Sequence, residues 1–239
     1  RDLHLSLRRQ RQMCIRDRVK EDKRRGKWFA ISLGLKKIKT DIVVMTSSDL
    51  RMRKNFLKFL VTPFKNERIG MVIGRPIADR NSKNYKFSKI VWDLHHVLCL
   101  KEPKGTEICA FRKILGSFPP VSADEVYIEY TIRKKGYRIV YEPDAFGFTK
   151  TPYTLIQFFE QRKRIFVGHV FIRFKYGFTT SSANPYVLLM VLKDYLKHIE
   201  GLRNLIRLLL LILLESSARI SAYINILISS KDYLIWKKK

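Results

Sequence analysis

The stretch IVVMTSSD, residues 42–49, constrains this chain more than any other part of it. A short run of β-branched and apolar residues does not alternate between a wet and a dry face, so it predicts a buried strand of a parallel sheet. The strand stops on small hydroxyl residues and one carboxylate, Asp49. Before it, GKWFAISLGLKKI (26–38) predicts a helix with Ala30, Leu33 and Ile38 inward and the lysines outward. After it, residues 54–62 read as an amphipathic helix ended by Pro63, and IGMVIG (69–74) as a second glycine-bounded strand. Helix alternating with strand predicts an α/β layer structure.

Residues 75–88 are polar and read as a loop, and residues 89–101, with Trp92, as an apolar helix. In SADEV, Ser122 followed by Glu125 has the form of a capping box, so a helix is expected from here to Gly136, with Asp124 in its first turn. YRIVYEP then alternates as a strand. Thr151-Pro152 has the form of a helix start, leading into a segment in which Gln161 and Arg164, three apart, share a face.

From Asn184-Pro185 onward the chain is apolar, yet 205–228 carries Arg207, Glu215 and Arg219, so it is no clean membrane span. On a helix, Arg203, Asn204, Arg207, Glu215, Arg219, Ser221, Asn225 and Ser229 gather on one side and leucines and isoleucines fill most of the rest. That pattern suits a helix lying in a membrane surface as well as it suits a packed helical subdomain.

Charge narrows the partners without choosing one. With 48 Lys and Arg against 21 Asp and Glu, the formal charge of +27 favours polyanions: nucleic acid, anionic lipid or phosphorylated small molecules. Cysteines at 14, 99 and 109 are too few and too scattered for a disulfide framework or a zinc site. The neighbours His95 and His96 diverge by about 100° on a helix, which argues against a shared metal. The opening RDLHLSLRRQRQMCIRDR has neither packing periodicity nor a secretory core. Its MCIRDR resembles a translation of sequencing-adapter DNA, so residues 1–18 are expected to be a non-native scar. The expected organisation is then a domain over 19–180 and a helical, membrane-surface segment over 181–239.

Taken in order, GKWFAISLGL, DIVVMTSSD, IGMVIG, GTEICAFRK, SADEV, KKGYRIVYEPDA and QRKRI resemble the family 2 glycosyltransferases of GT-A fold. The resemblance covers residues 24 to about 168 and rests on order and spacing, since each piece alone is weak. It implies a Rossmann-like mixed sheet flanked by helices, with the family's first strand and its nucleotide-binding acidic residue upstream of residue 19, and hence an unpaired sheet edge here. It implies transfer of a sugar, with inversion, from a nucleotide-sugar donor to a hydroxyl of a lipid-linked or polysaccharide acceptor. The work would be done at the cytoplasmic face of the membrane.

The family's Asp-x-Asp metal motif falls on Ser47 and Asp49, so Asp49 would hold Mg²⁺ or Mn²⁺ on the diphosphate and serine replaces the first acidic ligand. Asp124 matches the catalytic base that takes the acceptor proton. Gln161-x-x-Arg164 resembles the family's Gln-x-x-Arg-Trp motif, with Ile165 in place of tryptophan. Arg164 would bind the leaving diphosphate. Gln161 and Glu125 would lie on the acceptor side, and Lys27 matches a basic position near the nucleotide. Read on residue chemistry alone, Asp49 could cap a helix and Asp124 could serve a helix dipole.

Two other classes stand beside the enzyme. A non-catalytic glycosyltransferase-like subunit is suggested by Ser47. A basic nucleic-acid-binding protein is suggested by charge and by aromatics among lysines, as in NYKFSKIVW, but no recognition motif is present and the basic residues are spread along the chain. No nucleic-acid partner is therefore expected.

Overall fold

A computed structural model describes residues 21, 23, 25–116, 118–150 and 154–228. The proposed scar, the Thr151-Pro152 start signal and Ser229 lie outside the described residues. In chain order the elements are α1 (Lys27–Lys37), β1 (Ile42–Thr46), β2 (Arg51–Met52), α2 (Phe56–Val61), β3 (Ile69–Ala78) and α3 (Tyr85–Lys101). There follow β4 (Ile108–Arg112), α4 (Asp124–Lys134), β5 (Arg138–Thr149), α5 (Leu155–Tyr176), α6 (Pro185–Leu196) and α7 (Leu202–Ile228).

The strands form one mixed sheet in the order β1-β4-β3-β5-β2. Only β3 and β5 run parallel; β1 with β4, β4 with β3 and β2 with β5 are antiparallel. Successive residues of β3 face opposite ways, and the two cores follow from that. Met71 and Ile73 join Cys109, Phe111, Leu35 of α1 and Ile128 and Ile132 of α4 on one face. Val72 joins Ile108, Ala110 and Phe56 and Leu60 of α2 on the other. Met71, Ile73 and Phe111 are fully covered, and each such side chain stabilises the fold by about 1.5–3 kcal/mol. The helical layer beyond has its own apolar contacts, with Ile90, Phe158, Leu208 and Leu211 in one cluster and Phe166, Val167, Ala218 and Ala222 in another.

Several expectations are corrected. The 42–46 strand is the edge of the sheet, antiparallel to β4, and of its residues only Val43 is buried. Its run of apolar residues had suggested burial on both faces, but no neighbour among the described residues covers its outer side. In α1 the buried residues are Ser32 and Leu35, whereas Ala30 is exposed. Residues 75–88 are not all loop: β3 continues to Ala78 through Pro76, and α3 begins at Tyr85. Asp49 does not cap a helix, because β2 comes next and the residue before α2 is Asn55.

Candidate functional site

A cavity of about 700 Å³ opens where the rim of the sheet meets the helical layer. Four packing decisions build its polar end. The β1–β4 register sets Thr46 opposite Ile108, so the residues just beyond, Ser47 and Glu107, come together and the serine hydroxyl donates to Glu107 Oε2 at 2.9 Å. The loop before β4 passes tightly over the first turn of α4: a Cβ on Gly105 would lie 3.1 Å from the Glu125 carbonyl oxygen. Helix α5 crosses the same turn closely, since a Cβ on Gly168 would lie 2.6 Å from Ser122 Oγ and 2.7 Å from Ala123 Cβ. That approach brings Arg164, one turn earlier on α5, to the same place. Finally, α1 delivers Lys27.

Lys27 is the centre of the charge arrangement. Its ammonium stands 2.8 Å from Asp124 Oδ2 and 2.5 Å from Glu125 Oε1. The capping box expected of Ser122 and Glu125 is therefore absent: the residue before α4 is Ala123, which makes no side-chain cap, and Glu125 is engaged by Lys27. A full ammonium is a stronger partner for a carboxylate than a backbone N–H. Both carboxylates remain in the first turn, where the helix dipole favours them.

The two carboxylates have opposite tendencies. Asp124 is 2% exposed, and burial together with the charge of Glu125 pushes it up to about 6, with Lys27 opposing. For Glu125, burial works upward, but the charge and hydrogen bond of Lys27 outweigh it and hold the group below its usual range. Burial likewise works against the charge on Lys27, yet Glu125 and Asp124 raise it above its ordinary value. Burial lowers Arg164 while the charges of Glu125 and Asp124 support it, which places its guanidinium within their field. Two adjacent carboxylates with separated tendencies are what acid and base roles require.

Of the positions singled out in the sequence, Lys27, Asp124, Glu125, Gln161 and Arg164 all line the cavity. Ser47 and Asp49 do not; Asp49 lies exposed in the turn after β1. The link between the two groups is Glu107, which the sequence reading passed over. It lines the cavity, accepts from Ser47, and burial raises its carboxyl with added repulsion from Asp49 and Glu125. The only signal for it was a glutamate opening an otherwise apolar strand.

Asp49, Glu107 and the Ser47 hydroxyl are hard oxygen donors of the kind Mg²⁺ and Mn²⁺ prefer. Among the described residues no group of three or more His, Cys, Asp or Glu could hold a metal ion.

The rest of the cavity is helical. His95 and Trp92 of α3, Lys104, Arg162 and His169 of α5, and apolar residues of α6 and α7 surround it. His96 is accounted for differently, with Nδ1 2.7 Å from the Tyr141 hydroxyl. Helix α7 turns polar groups toward the cavity and α5: Glu215 pairs with Arg162 at 2.5 Å, and Arg219 donates to the Ser182 carbonyl at 3.0 Å. Its leucines and isoleucines divide. Leu208 and Leu211 are buried, while Leu202, Leu209, Leu213, Ile220 and Leu227 are exposed. No helix among the described residues is long and apolar enough to cross a membrane.

The mixed sheet with helices on both faces and a polar rim is a glycosyltransferase fold of the GT-A kind. Among solved structures, the chain is similar to the mannosyltransferase PcManGT from Pyrobaculum calidifontis in complex with GDP-Man and Mn²⁺. The TM-score is 0.59 at 20% identity, over 89% of this chain and 70% of that one. A glucosyl-3-phosphoglycerate synthase from Mycobacterium tuberculosis, in complex with Mn²⁺, UDP-glucose and glycerol 3-phosphate, is similar at a TM-score of 0.39 and 16% identity. That match takes in 60% of this chain and 53% of the other, about half its length. No protein-family model and no curated protein matches the sequence.

Proposed function

We propose that this chain transfers a sugar from a nucleotide-sugar donor to a hydroxyl of a lipid-linked or glycan acceptor, with inversion. The observation that carries the reading is the buried carboxylate Asp124, raised to about 6 and facing a cavity of about 700 Å³ beside Lys27, Glu125 and Arg164. Inverting displacement needs one carboxylate to take the acceptor proton as the oxygen attacks the anomeric carbon. Asp124 is that base. Lys27 holds it in place and limits its basicity, Arg164 offers a fork of donors to the departing diphosphate, and Gln161 and Glu125 face the acceptor. Glu125, held ionised by Lys27, keeps a negative charge next to Asp124 and so strengthens it as a proton acceptor.

Asp49, Glu107 and Ser47 would hold Mg²⁺ or Mn²⁺. A divalent ion there supplies charge neutralisation to the leaving diphosphate. In this reading Glu107, just before β4, stands in for the acidic residue that Ser47, just after β1, replaces. The exposed apolar side of α7 supports work at the cytoplasmic membrane surface, with the helix lying in the interface.

The test is to incubate the protein with a panel of nucleotide sugars and Mn²⁺, with and without chelator, and to follow release of nucleoside diphosphate. Release that depends on metal and is lost in Glu107→Gln supports the proposal. If no donor in the panel is bound or cleaved, the reading gives way to a non-catalytic glycosyltransferase-like subunit, for which Ser47 is the specific argument.

A further inference from the structure

The loop that leads into β4 carries Glu107 to the cavity, and a buried acid ties that loop to the helix that carries Asp124. Glu129 of α4 is 1% exposed and lies one turn beyond Glu125 on the same side of the helix. Its Oε2 accepts from the Gly105 N–H at 3.3 Å and its Oε1 from Arg133 Nε at 3.2 Å. Arg133 reaches on to the Pro103 carbonyl at 3.5 Å. The Cys99 thiol of α3 donates to the next carbonyl, that of Lys104, at 3.7 Å. Three successive loop residues are thus tied to neighbouring helices, and a Cβ on Gly105 would lie 3.1 Å from the Glu125 carbonyl oxygen. Beyond them Thr106 Oγ1 accepts from the Ile108 N–H at 3.2 Å, and Glu107 takes the Ser47 hydroxyl at 2.9 Å.

A carboxylate is a costly way to fill a core position. Out of water it must be paired and hydrogen-bonded, and a well-packed apolar side chain often serves stability as well. Ile128 and Ile132, beside it on α4, fill the core in that way. Burial raises the Glu129 carboxyl, with Arg133 and then the Gly105 N–H working against it. What the carboxylate supplies and an isoleucine cannot is an acceptor aimed at the loop. Neither Glu129 nor Arg133 lines the cavity, so their influence on a bound ligand passes through the loop.

We propose that Glu129 is a positioning residue for the transfer: by tying the Gly105 loop to α4 it sets where Glu107 stands relative to Asp124. Glu107 follows Gly105 by two residues and Asp124 opens α4, so this one tie joins the two carboxylates that line the cavity. A donor held at Glu107 and a proton acceptor at Asp124 must face the same anomeric carbon, and a misplacement of about 1 Å costs ~100-fold in rate. The inference rests on the proposed function for the roles of Glu107 and Asp124; the tie between them is what it adds.

The test is calorimetric titration of the whole protein with GDP and with UDP, each in Mn²⁺ and each in chelator, so that the readout is the enhancement of affinity by Mn²⁺. Glu129→Met keeps the volume and removes the acceptor. It is expected to cut the enhancement by roughly 10- to 100-fold, as loss of a group that orients a metal ligand does, with affinity in chelator held within about threefold. Glu129→Gln keeps an oxygen for the Gly105 N–H and is expected to stay within about threefold of the native enhancement. An enhancement unchanged in Glu129→Met, including one where both affinities fall together, overturns the positioning role and leaves Glu129 a packed ion pair. A Gln variant as impaired as the Met variant overturns the Gly105 tie. If Glu129→Met does not fold, Gly105→Ala decides: its methyl meets the Glu125 carbonyl, shifts the loop off α4 and lowers the enhancement, and an undiminished enhancement there overturns the proposal. Failure of the proposed function looks different: the native protein itself then shows no Mn²⁺ enhancement with either nucleotide, and the inference falls with it.

Discussion

Asp124 owes its reactivity to a balance among three neighbours, and the balance makes a pH prediction. A base must be ionised to take a proton, and the group is pushed up to about 6, so kcat/KM should rise with pH through an acidic limb near that value. Lys27 opposes the rise, hence Lys27→Met should move the limb upward by about 1 unit or more, read from the full pH–rate profile. A limb that stays in place would remove Lys27 from the control of Asp124. Asp124 was legible in the sequence because a motif in family order carried it. Glu107 was not, since it is one of five charged residues in the stretch from Lys101 to Arg112 and comes against the cavity only when the β1–β4 register places it beside Ser47. His95 packs edge-on to Trp92 while His96 meets the Tyr141 hydroxyl, so the two neighbours have different surroundings.

Helix α5 positions Arg164 by lying against the first turn of α4, and one glycine allows it. Adding a methyl in a helix interior is worth about 1 kcal/mol of propensity, whereas forcing one into contacts of 2.6–2.8 Å costs about 1–3 kcal/mol, so Gly168→Ala should be net destabilising. Gly34 in α1 has nothing within 4 Å of the same methyl, and Gly34→Ala should stabilise by up to ~1 kcal/mol. Opposite shifts of the two denaturation midpoints are expected; shifts of the same sign would contradict the packing. The start of α5 depends on Thr154, which accepts from the Gln157 N–H at 3.1 Å while the Gln157 side chain accepts from the Thr154 N–H. Thr154→Ala should cost about 1 kcal/mol in the same measurement. Helices were read from spacing with fair accuracy, but strand pairing was not, because pairing direction depends on neighbours distant in sequence. That is why β1 was expected in a parallel sheet and lies antiparallel at an edge.

The molecule divides its charges and its grease in an unusual way, and the division argues for a membrane surface. Polar groups of α7 face the cavity, while Leu209, Leu213 and Ile220 on its outer side are 53%, 63% and 61% exposed in a chain of net charge +27. Changing those three residues to Gln should reduce co-sedimentation with anionic lipid vesicles by at least ~10-fold, since each apolar side chain contributes about 1.5 kcal/mol or more when buried. The fold should tolerate the changes, because exposed substitutions act within about 0.5 kcal/mol each. Undiminished sedimentation would contradict a membrane role for this face of α7. The polar stripe of α7 was visible in the sequence; that Glu215 and Arg219 of it face the cavity while Arg203 is exposed was not, because helical periodicity gives the faces and only the Arg162–Glu215 ion pair with α5 and the Arg219 contact with Ser182 give the direction. The central claim is that Asp124 acts on the acceptor while separate groups hold the donor. Transfer rate and donor affinity should therefore be measured together for Asp124→Asn. A rate lowered by about 10²-fold or more with donor affinity within about threefold of the native protein is the expected result. Full activity in that variant, or loss of donor binding in step with the rate, would contradict it.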